Sequence, residues 1–310
     1  MNDNDVNTSG LVRRLGLNRR QFLAATTAMA AASAMAAPSA SAAGNGVLLP
    51  PGKRGIILFT VRDAVGRDPA TSPFASGFQE VFSELSRIGF KQLEFAGYRQ
   101  HPNAPGGDVN NVAGAALLRQ WLDDSGIEAE GNHGSIPSVL NESTLAAFDQ
   151  ACEVANILGL GHIGTGGDPS NSPYVADWVA AAERWNILGE RAAGHGLKLY
   201  THNHDIAYSF LLDSGPLDTA GNPTRSSGIR RLEHFLANTD PNYVYLEMDI
   251  YWAHVAQYKH TSYTAPDGST VQAIFDPAGV VAAQTKRFPL FHAKDGARDT
   301  TQANGYVMTP

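Results

Sequence analysis

Seven side chains that bind metals or move protons recur at the ends of short apolar runs: Glu94, His133, His202, His204, Asp249, His292 and Lys294. The densest stretch is KLYTHNHD, Lys198 to Asp205, where two histidines flank Asn203. Any one inward histidine is more often a hydrogen-bonded core residue than a ligand. Several together are another matter, because burying polar groups without partners costs about 1–3 kcal/mol apiece. They must satisfy one another, a metal or a polar ligand. Imidazole nitrogens mixed with carboxylate oxygens suit Mn²⁺, Co²⁺, Zn²⁺ or Fe²⁺ rather than Ca²⁺.

The elements that position these residues follow a simple rhythm. β-rich runs lie at 55–61, 90–96, 127–133, 160–165, 197–204, 243–250 and 288–294. Between them stand segments such as FASGFQEVFSELSRIG and STLAAFDQACEVANILG, with apolar residues at three- and four-residue steps and a closing Gly. Strand, helix, Gly, strand is the grammar of a parallel α/β sheet. Strands of a doubly wound sheet are covered on both faces and read as apolar throughout. Here they alternate. In YVYLEMDI, Val244, Leu246, Met248 and Ile250 share one face, and Tyr243, Tyr245, Glu247 and Asp249 the other. Gln92 and Glu94 likewise oppose Leu93 and Phe95, while Tyr200, His202 and His204 share a face, as do His292 and Lys294. Polar groups turned inward near strand ends fit a (β/α)8 barrel, which keeps its chemistry at the C-terminal mouth.

Composition narrows the function. The single cysteine, Cys152, sits among apolar residues, which excludes a disulfide framework and predicts core packing. A formal charge of −7 argues against nucleic acid as a partner, since gripping phosphates takes clustered Lys and Arg. Residues 1–42 read as a removable address. Asn18-Arg19-Arg20-Gln21-Phe22-Leu23 resembles the twin-arginine export signal; an Ala-rich stretch follows, and Ala40-Ser41-Ala42 offers a cleavage site. Residues 43–54 are then a linker and 55–310 the folded domain. The protein is expected to be periplasmic or extracellular and soluble, with no membrane anchor after cleavage.

GIILFTVRD, IGFKQLEFAGY, HGSIPS, YTHNHD, LEMDIYWAHVA and FPLFHAKDG, in this order, resemble the xylose isomerase-like sugar phosphate isomerase/epimerase superfamily. The resemblance implies a (β/α)8 TIM barrel holding one divalent metal between ligands from strands five to eight. By position, Asp249 matches the strand-six Asp and His292 the strand-seven His, and His202 stands where a strand-five Glu is usual. That glutamate often doubles as the proton-transfer base, which a metal-bound imidazole cannot do. The base is therefore expected elsewhere: Glu94 first, then His204. Lys294 and His133 would steady substrate oxygens, with Asn203 and Trp252 as further substrate contacts. The chain stops where an eighth strand and its acidic ligand would follow, so the barrel is expected to lack that strand. The resemblance implies an isomerase or epimerase acting beside the carbonyl of a small-molecule sugar or keto-sugar. A lyase expelling a β-substituent and a non-catalytic sugar-binding barrel are the alternatives, and the oligomeric state stays open.

Overall fold

The structure, a computed structural model, describes residues 51–302 and 305–308. The export signal at 1–42 and most of the linker lie outside the described residues. Seven strands form one parallel sheet: β1 (Gly55–Ile57), β2 (Gln92–Phe95), β3 (Glu128–Gly134), β4 (His162–Thr165), β5 (Lys198–His202), β6 (Val244–Asp249) and β7 (Leu290–His292). Each strand pairs with the next in sequence, the ordering of a TIM barrel. Among the described residues no eighth parallel strand follows β7; an antiparallel hairpin, Gly296–Arg298 with Tyr306–Met308, comes instead. β1 and β7 are thus the sheet's edges.

The main helices are α1 (Gly77–Ile88), α2 (Val112–Ser125), α3 (Glu142–Leu158), α4 (Val175–Gly194), α5 (Arg231–Asn238), α6 (Ile250–Lys259) and α7 (Pro277–Ala283). Local chemistry sets their ends. The Asn111 side chain accepts from Gly114 N–H, and the Asn141 side chain from Thr144 N–H in a capping box, each satisfying a donor the helix leaves free. Such a cap stabilises a helix by about 1 kcal/mol. Gly126 and Gly159, at φ 62° and 75°, close α2 and α3 in the left-handed conformation and turn the chain into β3 and β4. None of the described helices is long and apolar enough to cross a membrane.

The outward strand face packs on these helices. Leu93, Ile163, Leu199, Val244, Leu246 and Met248 join Phe82, Leu118, Leu122, Leu158, Trp185 and Leu188 in one core. Each fully buried side chain of this kind contributes about 1.5–3 kcal/mol. Cys152 belongs to the same core and is wholly buried on α3. The inward face near the C-terminal strand ends is left to polar groups.

Three expectations need correction. The first run ends as a strand at Ile57, and Leu58–Val61 is a 3-10 helix; an edge strand has one neighbour only, and its ladder stops where Ile57 meets Glu94. β5 ends at His202, so His204 stands beyond the strand, before the 3-10 turn Asp205–Tyr208. β7 ends at His292, which puts Lys294 in the following loop. Two antiparallel hairpins also interrupt the βα rhythm: Ser214–Leu217 with Pro223–Arg225, and Ser262–Thr264 with Thr270–Gln272.

Candidate active site

The inward side chains of β2, β3, β5, β6 and β7 meet at one place. Their ligand-capable atoms form two groups, each with all atoms within 4.8 Å of one another: Glu94, His133, Glu247 and His292, and His202, Asp249 and His292. The second is the ligand set expected from the sequence. His292 belongs to both.

Registry explains the meeting. Parallel pairing sets His202 beside Glu247 and His292 beside Asp249. On β2 the register with β3 slips after Leu93, so that Glu94 pairs with Gly131 and Glu130 is the extra residue. A bulge of this kind re-aims a side chain, and bulges are common beside active sites. Here the extra residue is on β3, which sets Gly131 opposite Glu94, and Glu94 itself reaches toward β5 and β7: the Tyr200 hydroxyl donates to Glu94 Oε1, and His292 Nε2 lies 2.9 Å from Glu94 Oε2. Glu247 Oε2 is 2.7 Å from His133 Nε2, and Glu247 Oε1 is 3.2 Å from His292 Nε2. Glu94 Oε1 stands 3.3 Å from His133 Nε2. Asp249 Oδ2 is 3.3 Å from His202 Nε2 and 4.0 Å from His292 Nδ1.

Burial makes these contacts matter. Glu94 is 7% exposed, His202 5%, Glu247 3% and Asp249 1%. Burial alone would push the Glu247 carboxyl up, yet the His133 and His292 imidazoles outweigh it and hold it down at about 2. Burial likewise disfavours a charged His292, but Glu247 and Glu94 raise it to about 10. His202 goes the other way: desolvation lowers it below the usual histidine range despite Asp249, so it stays neutral near pH 7. Asp249 is lowered, the His202 imidazole and the Trp252 N–H overcoming the effect of burial. In the absence of a metal, His292 thus stands as an imidazolium beside the Glu247 carboxylate.

The mouth is built from the turns after β5 and β6. Asp249 caps α6 by accepting from Trp252 N–H at 3.1 Å, and its own N–H donates to Asn203 Oδ1 at 3.3 Å. Lys294 Nζ sits 3.9 Å from Asp249 Oδ2 and 4.6 Å from the centre of the Trp252 ring. The His204 ring, 5.1 Å from His202 and 5.4 Å from Trp252, is partly exposed; its Nδ1 lies 3.7 Å from Asp168 Oδ2, and its backbone N–H donates to Asp168 Oδ1 at 3.2 Å. Asp205 Oδ2, 2.9 Å from both Lys259 Nζ and His260 Nε2, pins this turn to the end of α6. His202 Nδ1, Asn203 Nδ2 and Trp252 Nε1 are buried without a hydrogen-bond partner among the described residues.

All nine residues singled out in the sequence thus lie at one end of the sheet, but in different surroundings. His133 is engaged by Glu94 and Glu247 rather than turned to the mouth. Glu247 and Tyr200 went unassigned in the sequence, although both stand two residues before an expected ligand on the same strand face. That spacing was the available signal.

A family profile described as xylose isomerase-like TIM barrel matches residues 82–305. The chain belongs to this family. Among solved structures, a sugar phosphate isomerase/epimerase from Parabacteroides distasonis superposes with a TM-score of 0.57 at 23% identity, over 84% of this chain and 80% of that one. A second from the same organism gives 0.55 at 15% identity, over 80% and 81%. At such identities these two structures bear on the fold alone. No functionally curated protein matches the chain's sequence.

The donor set fits the divalent metal that the resemblance implies. Two carboxylates and two imidazoles converge in one group, one carboxylate and two imidazoles in the other, and the buried His202 Nδ1 has no competing partner.

Proposed function

We propose that the chain is a metal-dependent isomerase or epimerase that moves a proton beside the carbonyl of a sugar or keto-sugar. The observation that carries this reading is the convergence of nitrogen and carboxylate donors from five of the seven strands at the C-terminal end of the sheet. A divalent metal would be held by His202, Asp249 and His292, with Glu247 within reach of the same histidine. When bound, it would supply Lewis-acid polarisation of the substrate carbonyl, making the adjacent C–H more acidic.

The chain's own residues do the rest. Glu94 is the base: of the two buried glutamates it is the one outside the strands that bear His202, Asp249 and His292, and a metal-bound imidazole has no lone pair left to take a proton. His133 bridges Glu94 and Glu247 and keeps the two carboxylates in fixed relation. Asn203 Nδ2 and Trp252 Nε1 are donors in want of acceptors, which substrate hydroxyls would provide. Lys294, held between Asp249 and the Trp252 face, steadies an oxygen that gains negative charge.

A lyase is the second reading. Removing the same proton allows a β-substituent to leave, and the partly exposed His204, held by Asp168 at the mouth, is placed to protonate it. Keto-sugar incubated in deuterated water distinguishes these cases. Exchange or epimerisation at the carbon beside the carbonyl supports the first reading, release of the substituent the second, and binding without either a non-catalytic barrel. Glu94→Gln is expected to abolish exchange with metal content unchanged, and Asp249→Ala to lose both. Exchange at the wild-type rate in Glu94→Gln would place the base elsewhere.

A further inference from the structure

Tyr200 faces the cluster, and no role falls to it in the reaction above. It is wholly buried on β5, two residues before His202 on the same strand face. Its ring lies between imidazoles, 6.0 Å from His133 and 6.1 Å from an edge-on His162. Its hydroxyl donates to Glu94 Oε1.

The neighbouring strands are cut away to admit it. A Cβ built on Gly131 of β3 would stand 3.0 Å from the Tyr200 hydroxyl and 3.4 Å from Glu94 Oε1. A Cβ on Gly164 of β4 would lie 2.8 Å from the Tyr200 ring and 1.9 Å from its carbonyl oxygen. Neither glycine has a positive φ, so neither is required by backbone conformation. Close approach accounts for them.

We infer that Tyr200 is the positioning residue of Glu94: its hydroxyl, seated in the notch at Gly131, engages Oε1 and leaves Oε2 as the oxygen turned toward His292. A carboxylate that can rotate offers either oxygen at any angle. A buried hydroxyl with a packed ring behind it fixes Oε1 and so sets the direction in which Oε2 meets His292 Nε2 at 2.9 Å, and geometric misplacement of a reacting group by about 1 Å can cost about a hundredfold in rate. Partners of this kind typically change affinity or activity by about 10–100-fold when removed. The inference rests on the proposed role of Glu94 for its catalytic consequence, but not for the contact itself.

The test removes the hydroxyl alone, with Tyr200→Phe in the full chain. Protein labelled with ¹³C at glutamate carboxyls is compared by NMR, the Glu94 resonance being the one lost in Glu94→Gln. That resonance is expected to move in Tyr200→Phe, with the melting temperature within a few degrees of wild type. Gly131→Ala, which crowds the hydroxyl, is expected to move it too, and to add little in the Tyr200→Phe background, where the crowded group is gone. Exchange of keto-sugar deuterium should fall about 10–100-fold in kcat with KM within about twofold. An unmoved Glu94 resonance, or full additivity of the two substitutions, overturns the inference. A moved resonance in a protein whose wild type exchanges nothing leaves the positioning intact and defeats the proposed reaction instead.

Discussion

Binding of a divalent metal should release close to one proton, and that proton should come from His292. In the metal-free cluster, Glu247 and Glu94 raise His292 to about 10 against an ordinary 6.5, so at neutral pH its imidazole is protonated and has no lone pair to offer. The other proposed ligands are ready: desolvation keeps His202 below the usual histidine range, and Asp249 is held below the usual carboxylate range. One ligand in three must therefore lose a proton. Apparent affinity should rise about tenfold per pH unit, near 1.4 kcal/mol, and so about a hundredfold between roughly pH 6 and 8. Calorimetric titration with Co²⁺ in buffers of different ionisation enthalpy counts the protons directly. His292→Gln should bind more weakly and release almost none. A flat pH dependence, or equal proton release from His292→Gln, would refute the reasoning. The same shift bears on the metal-free fold: a raised histidine stabilises fully below its unfolded value of 6.5, and that contribution is lost as pH climbs through about 10.

Two further predictions concern the frame around the site and the proposed export signal. Arg287 is 3% exposed, donating to the Val244 carbonyl at 2.8 Å, the Leu236 carbonyl at 3.2 Å and the Thr239 hydroxyl at 2.6 Å, so it ties the end of α5 to β6 just before β7. Arg287→Met strands these acceptors and should cost about 2–4 kcal/mol in urea unfolding; a loss under about 0.5 kcal/mol would count against this tie. For the proposed export signal, Arg19→Lys combined with Arg20→Lys should hold the precursor in the cytoplasm on cell fractionation, and mature protein outside the membrane in that variant would mean that hydrophobicity alone directs export.

The barrel was legible because a strand's side chains alternate with period two, and LEMD or QLEF shows its inward set at once. Glu247 lay in plain view on that inward face. The resemblance implies one acid from strand six, and Asp249 fills that place. Tyr200 reads as core in a sequence; only the three-dimensional approach of Glu94, through the slip at Leu93 and the notch at Gly131, gives its hydroxyl a partner. His204 was set on a strand that ends at His202, since strand boundaries depend on the neighbour's ladder more than on the residues themselves. The hairpins at 214–225 and 262–272 are three- and four-residue strands, too short to carry a period. Their turns, DTAGN and APDGS, were the signal available.

The central claim is that a divalent metal sits at the shared end of β5, β6 and β7. Anomalous diffraction from crystals grown with Co²⁺ or Mn²⁺, recorded on both sides of the metal's absorption edge, locates it directly. A single strong peak is expected about 2.0–2.3 Å from an imidazole nitrogen of His202, a carboxylate oxygen of Asp249 and an imidazole nitrogen of His292. A peak bound by none of these three, or no peak in protein that retains full exchange activity, would contradict it.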